Sequence, residues 1–299
     1  MRAVVRKVRT ILFAFLAVIF LMPSASFAQS QTPNVVVIMV DNHGWGELGV
    51  YGGGELRGAP TPRLDKLAEE GMRLQNFNVE PQCTPTRSAF MTGRRPIRSC
   101  TTKVVWGMLY GLTSWEVTMA ELMSEAGYAT GMFGKWHFGD NYPFGPEYHD
   151  FDEVLRHYGG AIGVLADYWD NCYLNDTYYD NGEPTKVKGY CTDVFFAAAR
   201  QFIDEAVEQD KPFFVYLPTN APHGPLICPP AFSRPYANGK TKRTAEFYGM
   251  IANIDENVGR LLDNLQKWDL LEETLIIFMS DNGMTGGGSG RGVLGQAAD

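Results

Sequence analysis

Short apolar segments of strand length alternate with amphipathic segments of helical period from Pro33 to the end of the 299-residue chain. The first of them, residues 35–40, is a continuous run of mostly β-branched side chains, which is typical of a parallel strand buried on both faces. Further strands are predicted at 128–133, 213–217 and 274–279, and the last of these is again of the type buried on both faces. This alternation predicts an α/β fold with a mostly parallel sheet flanked by helices.

Helices and one hairpin are predicted between these strands. Thr113 and Glu116 have the spacing of a capping box, and a helix that begins there should end at Gly127. Asn181-Gly182 is typical of a two-residue hairpin turn and predicts paired strands at 173–179 and 185–188. Other helices are predicted at 62–70, 193–209 and 248–265. A cluster of aromatic residues either rims a pocket or packs beneath the hairpin: Tyr168, Trp169, Tyr173, Tyr178 and Tyr179.

The first 28 residues have the organisation of a signal peptide. A basic start precedes an apolar run at 11–22, and Ser26 and Ala28 form a small-x-small cleavage site. The run is shorter than the roughly 20 residues that a membrane-spanning helix needs. We therefore expect cleavage after Ala28 and an exported protein, periplasmic or secreted, with no membrane anchor. An uncleaved anchor is the alternative.

The charge balance disfavours one class of partner. The chain carries 26 Lys and Arg residues against 34 Asp and Glu residues, a formal net charge of −8. Nucleic-acid binding depends on neutralising phosphates with an excess of basic residues. We therefore expect no nucleic-acid partner.

Five cysteines in an exported chain leave at least one that is unpaired or serves another purpose. Cys100, Cys172, Cys191 and Cys228 allow two disulfides in three pairings. Free thiols are the alternative, and the sequence does not choose between them.

Each of four predicted strands is followed by a compact polar cluster. The carboxyl ends of parallel strands converge at one edge of a sheet, so these clusters predict one shared site. The clusters are Asp41-Asn42-His43, Lys135 with His137, Asn220 with His223, and Asp281-Asn282. The carboxylate and amide oxygens of the first and last clusters suit a hard divalent cation, calcium or magnesium, better than zinc.

The segment from Cys83 to Gly93 predicts a helix that begins beside a nucleophile. Cys83 lies at or near the N-cap, Pro85 in the first turn, and Gly93 at the end. Free backbone N–H groups at a helix start favour an anion, and Arg87 is one turn further along. We therefore expect an environment that binds an anion at Cys83.

These residues carry a resemblance to a known family. Cys83-x-Pro85-x-Arg87, followed by Met91-Thr92-Gly93, resembles the signature of the sulfatases, in which the cysteine is converted after translation to formylglycine. Four further segments match in order: 34–41, 134–137, 221–223 and 280–283. The resemblance implies the N-terminal domain of an alkaline-phosphatase-like sulfatase and an arylsulfatase-like hydrolase that cleaves a sulfate monoester. It also implies a sulfated small molecule or glycan as substrate and a formylglycine-generating enzyme as maturation partner.

The resemblance also implies a role for each matching residue. Arg87 and Lys135 would bind the sulfate, His223 would give a proton to the leaving oxygen, and His137 would take the proton that allows sulfate to be expelled. The implied ligands of a calcium ion, with magnesium as the alternative, are Asp41, Asn42, Cys83, Asp281 and Asn282.

The chain departs from the family pattern at two places. Asn42 stands where many sulfatases have a second aspartate, which removes one negative charge from the metal site. The family also has an active-site lysine beyond Asp281 and then a small C-terminal domain, and no lysine follows Asp281 here. We therefore expect residues 33–299 to be a sulfatase catalytic domain that is incomplete at its C-terminus. The alternatives are a phosphonate or phosphate ester hydrolase of the same superfamily, and a fragment that binds ligands without catalysis.

Overall fold

The computed structural model describes residues 32–54, 59–106, 110–238 and 244–283, and a seven-stranded sheet lies at their centre. The predicted signal peptide, residues 1–28, lies outside the described residues. The strands are β1 (Asn34–Val40), β2 (Ala129–Lys135), β3 (Glu153–His157), β4 (Thr177–Asp180), β5 (Glu183–Lys186), β6 (Phe213–Pro218) and β7 (Thr274–Ser280).

The sheet is parallel except at one edge. Its order is β5-β4-β3-β2-β6-β1-β7, and β3, β2, β6, β1 and β7 pair in parallel. The antiparallel ribbon of β4 and β5 is the hairpin predicted at Asn181-Gly182, with shorter strands than expected. The mostly parallel α/β fold is therefore confirmed, while β3 is a strand that the sequence pattern did not predict.

Helices cover both faces of the sheet because the side chains of β1 alternate between two apolar clusters. Val36, Ile38 and Val40 belong to one cluster, with residues of two long helices. Val35 and Met39 belong to the other, on the opposite face. The helices are α1 (Pro62–Glu70), α2 (Cys83–Thr92), α3 (Met119–Glu125), α4 (Cys191–Glu208), α5 (Pro230–Ser233) and α6 (Ala245–Lys267), and short 3-10 turns occur at Trp45–Glu47, Gly49–Tyr51, Pro146–Tyr148 and Arg234–Tyr236. Within the described ranges, no helix has the length and apolar character needed to cross a bilayer.

The capping box predicted at Thr113 and Glu116 is wrong. The helix α3 begins five residues later, where the Thr118 hydroxyl accepts a hydrogen bond from the Glu121 N–H and the Thr118 N–H donates to the Glu121 carboxylate. The Glu116 carboxylate is instead held by Arg94, whose Nη1 donates to its two oxygens at 2.8 and 2.9 Å. Thr113 with Glu116 and Thr118 with Glu121 both have the spacing of a capping box. The Glu116 carboxylate binds Arg94 instead, and the pair at Thr118 forms the cap.

The structure also bears on three other expectations. The strand predicted at 274–279 was expected to be buried on both faces, but β7 is an edge strand whose residues are mostly half-buried. All five cysteines are free thiols, so of the two alternatives left open for Cys100, Cys172, Cys191 and Cys228 the structure has the free thiols. In the aromatic cluster, Tyr173 and Tyr178 pack in the core, as the packing alternative predicted, whereas Trp169 is exposed.

Three buried acidic contacts hold the surrounding loops. Asp255 on α6 accepts the backbone N–H groups of Arg63 and Leu64 at 3.1 and 2.9 Å and so caps α1, whose own N-cap side chain makes no such bond. Arg156 on β3 pairs with Glu147 at 2.7 Å and with Asp140 at 3.2 Å. The second pair fixes the loop that follows β3, since Asp140 also accepts the N–H of Gly159.

Candidate active site

Side chains from three strand ends and one helix start meet at the carboxyl edge of the sheet. Asp41 follows β1, Lys135 ends β2 and Asp281 follows β7, and all three are fully buried. Cys83 and Arg87 reach the same place from the first turns of α2. The structure therefore brings together five of the residues singled out from the sequence, although up to 240 positions separate them.

Cys83 is the first residue of α2, as the sequence indicated, and Gly93 ends the helix in a left-handed conformation. The Cys83 thiol donates to Asp41 Oδ1 at 3.4 Å. The next residue, Thr84, donates its hydroxyl to the carbonyl oxygen of His137 at 2.8 Å. The first turn of α2 is thus tied to the loops that follow both β1 and β2.

Two buried cations face two buried carboxylates around Cys83. Arg87 donates from Nε and Nη2 to Asp281 Oδ2 at 3.0 and 2.8 Å, and its Nη2 lies 3.8 Å from Asp41 Oδ2. The Lys135 ammonium donates to the same Asp41 oxygen. Charges removed from water in this way persist only when they are paired, and the four groups balance.

The pKa values follow from this arrangement. Burial raises the pKa of Asp41, but the charges of Lys135, His223 and Arg87 outweigh it and leave the pKa below its usual range. Burial and the neighbouring Asp41 raise the pKa of Asp281 to about 6.

Burial, together with Asp41 and Asp281, raises the pKa of the Cys83 thiol to about 12, against the opposing effect of Lys135 and Arg87. Burial and these carboxylates therefore outweigh the preference for an anion that the helix start alone predicts, and they shift the unmodified thiol toward its neutral form.

The predicted metal ligands lie together and suit a hard cation. Ligand atoms of Asp41, Cys83 and Asp281 all lie within 4.8 Å of one another. The backbone N–H of Asn42 donates to Asp281 Oδ1 at 3.0 Å, and the Asn282 amide donates to the side-chain oxygen of Asn42. The buried Asn282 Oδ1 has no hydrogen-bond partner in the described part of the chain. An unsatisfied oxygen beside two carboxylates is the environment that calcium or magnesium prefers.

His137 is held in place by the groups around its ring. Its Nε2–H donates to the carbonyl oxygen of Val105 at 3.1 Å, which leaves Nδ1 as a lone-pair acceptor without a hydrogen-bond partner in the described structure. Burial lowers the pKa of this imidazole well below its usual value. Gly160 lies against the ring, where a Cβ would come within 2.6 Å of Cε1. His137 is also in the left-handed region, with φ of 64°, which marks strain of the kind found at functional sites.

His223 follows β6 and is half-buried near the same cluster. Its Nδ1–H donates to the Gly224 carbonyl oxygen at 2.5 Å, so Nε2 is the free acceptor nitrogen. Burial lowers the pKa of His223, and the charge of Asp41 reduces that shift. The Asp41 N–H donates to the Ala221 carbonyl oxygen at 3.1 Å, which places the predicted cluster of Asn220 and His223 at the same edge.

His157 is a site neighbour that the sequence reasoning missed. It ends β3 beside Lys135 in the parallel register and is fully buried. Burial lowers its pKa to about 3, and its Nδ1–H donates to the Tyr158 carbonyl oxygen at 3.0 Å. The available signal was a histidine at the end of a short segment, but the charged residues of that segment hid the strand.

Comparisons with known proteins point to one family. A protein-family model described as Sulfatase matches residues 33–297. N-acetylgalactosamine-6-sulfatase of Canis lupus familiaris is 33% identical over 280 residues, which cover 85% of this chain and 50% of that protein. Arylsulfatase A of Homo sapiens is 32% identical over 290 residues, which cover 87% and 54%.

A solved structure matches as well. The crystal structure of Ps i-CgsB in complex with k-i-k-neocarrahexaose is similar with a TM-score of 0.79 and 31% identity, over 85% of this chain and 59% of that one. The chain spans about half the length of the curated relatives it matches.

Proposed function

Since the chain belongs to the sulfatase family, we propose that it forms the catalytic part of a sulfuric ester hydrolase that cleaves a sulfate monoester at Cys83. The observation that carries this proposal is the buried group of two cations and two carboxylates around that residue. These four charges sum to zero, and a divalent cation bound by the carboxylates would make the site positive. A positive, water-excluded site is what stabilises an anionic sulfuryl group during transfer.

The side chains of this protein would then divide the work. Arg87 and Lys135 bind and orient the sulfuryl oxygens, since both are buried beside Cys83. His223 would give the leaving oxygen a proton that its free acceptor nitrogen, Nε2, takes up beforehand. His137 accepts a proton at Nδ1, the ring nitrogen that its bond to Val105 leaves free.

Two groups would be added to these side chains. Formylglycine in place of Cys83 would supply, in its hydrated form, one hydroxyl as the nucleophile and a second hydroxyl whose loss of a proton would re-form the aldehyde and expel sulfate. A calcium ion, or magnesium, would supply electrostatic stabilisation of the developing charge. The ligand set that supports it is Asp41, Asn42, Cys83, Asp281 and Asn282.

The substrate class is proposed from chemistry and from the relatives. One relative is named for the 6-sulfate of N-acetylgalactosamine, and one similar structure contains neocarrahexaose. We therefore propose a sulfated glycan as the natural substrate, with small aryl sulfates as reporter substrates. We further propose export through the predicted signal peptide and maturation by a formylglycine-generating enzyme.

Matched aryl esters test the reaction class. The protein is co-produced with a formylglycine-generating enzyme, and its initial rates on an aryl sulfate and on the corresponding aryl phosphonate are compared in calcium. We expect faster hydrolysis of the sulfate and none by Cys83→Ala. A large preference for the phosphonate would replace this proposal with a phosphonate hydrolase, and equal rates for Cys83→Ala would show that catalysis occurs elsewhere.

The metal is tested by stability. Calcium at about 100 times its dissociation constant should raise the free energy of unfolding by about 2.7 kcal/mol. Asp281→Asn should reduce this effect because a carboxylate ligand is lost. An unchanged melting temperature at millimolar calcium and magnesium would contradict the proposed cation site.

A further inference from the structure

One buried hydroxyl connects the backbone of His137 with its ring. Thr84 Oγ1 donates to the His137 carbonyl oxygen at 2.8 Å and accepts the N–H of Val105 at 3.2 Å. The carbonyl oxygen of Val105 in turn accepts the Nε2–H of His137 at 3.1 Å. All three residues are buried, so the three hydrogen bonds form a closed ring that is shielded from water.

The backbone of His137 depends on such contacts because it is strained. Its φ of 64° lies in the left-handed region, where a residue with a side chain stays only if the surrounding structure holds it. Thr84 holds the carbonyl group of His137 itself. Arg87 acts in a similar way two residues earlier, since its Nη1 donates to the Lys135 carbonyl oxygen at 2.9 Å. The first turns of α2 therefore fix the segment from Lys135 to His137 at both ends.

The same hydroxyl acts on the His137 ring through Val105. Without the Thr84 oxygen, the buried N–H of Val105 would lose its acceptor, and an unpaired buried N–H is costly enough to displace the backbone that carries it. The carbonyl group that accepts the ring proton belongs to the same residue and would move as well. That carbonyl group is what keeps the proton on Nε2 and leaves Nδ1 as the free acceptor nitrogen.

We propose that Thr84 is a positioning residue that acts through Val105 to keep the His137 proton on Nε2 and the Nδ1 lone pair available to the reaction. This inference rests on the proposed function and adds to it a residue that takes no part in proton or sulfuryl transfer. Thr84 directly follows Cys83 in α2. The position of the proton acceptor is thus coupled to the residue next to the nucleophile.

Thr130 provides a matched control. It is fully buried, and its hydroxyl donates to the Asp150 carbonyl oxygen at 2.8 Å and accepts the N–H of Asp152 at 3.0 Å. The two threonine hydroxyls therefore make the same kinds of hydrogen bond at nearly the same distances. Thr130 lies near the start of β2, about 16 Å from Lys135 along an extended strand. Loss of its hydroxyl leaves the contacts of His137 in place.

Steady-state kinetics on an aryl sulfate measure the effect on the reaction. Rates are divided by the converted fraction of residue 83, so that a change in maturation does not count as a change in catalysis. Thr84→Val should lower kcat about 10- to 100-fold, the range for a catalytic group misplaced by up to about 1 Å. KM should change little because Arg87 and Lys135 remain.

Two further variants control for stability. Thr84→Ser keeps the hydroxyl and should recover most of the loss in kcat. Thr130→Val should lose about as much stability in urea unfolding as Thr84→Val does, with the kcat of the wild type. Equal kcat values for folded Thr84→Val and Thr130→Val would overturn the inference.

Nitrogen-15 spectra of the imidazole test the positioning without turnover. Burial holds the pKa of His137 well below its usual value, so its neutral ring is observed at neutral pH. The His137 signals, identified by their absence from His137→Gln protein, should show the form protonated at Nε2. Thr84→Val should shift them toward the form protonated at Nδ1, whereas Thr84→Ser and Thr130→Val should leave them in place.

The two measurements separate the inference from the proposed function. If the wild type hydrolyses no sulfate ester, the proposed function fails, and the His137 signals alone decide the role of Thr84. Unchanged signals in Thr84→Val would overturn that role whether or not the protein is active. Shifted signals with an unchanged kcat would overturn its link to catalysis, and a shift confined to Thr84→Val together with a lower kcat supports it.

Discussion

Gly160→Ala tests whether the position of the His137 ring controls the proposed reaction. The new Cβ would lie 2.6 Å from Cε1 and 2.7 Å from Nε2 of His137. Because carbon atoms in contact are about 3.5–4.0 Å apart, the ring must move by about 1 Å. That movement also strains the bond from Nε2 to Val105, which is 3.1 Å long. A misplacement of about 1 Å can reduce the rate about 100-fold, and overpacking costs about 1–3 kcal/mol of stability.

Gly131→Ala is the matched control for this overpacking. Its Cβ would lie 2.8 Å from the Phe133 ring and 3.0 Å from Phe202, in the core four residues before Lys135. Neither glycine is in the left-handed region, so alanine brings no backbone strain at either position. The added methyl group is the only change. Urea unfolding should show a similar loss of stability for both variants, and aryl sulfate hydrolysis should fall about 100-fold only for Gly160→Ala. Equal activity of the two folded variants would refute the reasoning.

Variants at three further positions test the fold itself. Burial and two nearby carboxylates raise the pKa of Glu153 to about 6 from 4.5, so stability is lost as pH rises through this range. Glu153→Gln should therefore have the same free energy of unfolding as the wild type at pH 4. At pH 8 its free energy of unfolding should be higher by up to about 1 kcal/mol, after allowance for solvent screening of this half-exposed group. Asp255→Ala should lower the free energy of unfolding by about 1 kcal/mol because the cap of α1 is lost, and Asp255→Asn should keep most of it. Arg156→Leu should cost about 3–5 kcal/mol in urea unfolding because Asp140 and Glu147 lose their buried partner; a cost below about 1 kcal/mol would show that these carboxylates do not depend on it.

The strand ends could be predicted because the signals that define them are local. A run of β-branched residues identifies β1, and the polar residue that follows it must lie at the sheet edge. This logic places Asp41, Lys135 and Asp281 together without any knowledge of their contacts. The start of α2 at Cys83 follows in the same way from proline and glycine positions.

Other features depend on contacts between distant parts of the chain. Glu116 fits a capping box as well as Glu121 does, and only the position of Arg94 excludes it. His157 lies in a strand whose Arg156 is neutralised by tertiary partners, so the local pattern looks like a loop. Gly160 matters because it touches a ring 23 positions earlier. No periodicity or spacing in the sequence indicates any of these contacts.

The central claim is that sulfate esters are hydrolysed at Cys83 after its conversion to formylglycine. Preparations with different extents of conversion can be made by varying the maturation enzyme, and mass spectrometry of the Cys83 peptide gives the converted fraction as a loss of about 18 Da. Sulfate release from an aryl sulfate is then measured in calcium for each preparation. The account predicts a rate proportional to the converted fraction and absent at zero conversion. A rate independent of that fraction, or no sulfate release by fully converted protein, would contradict it.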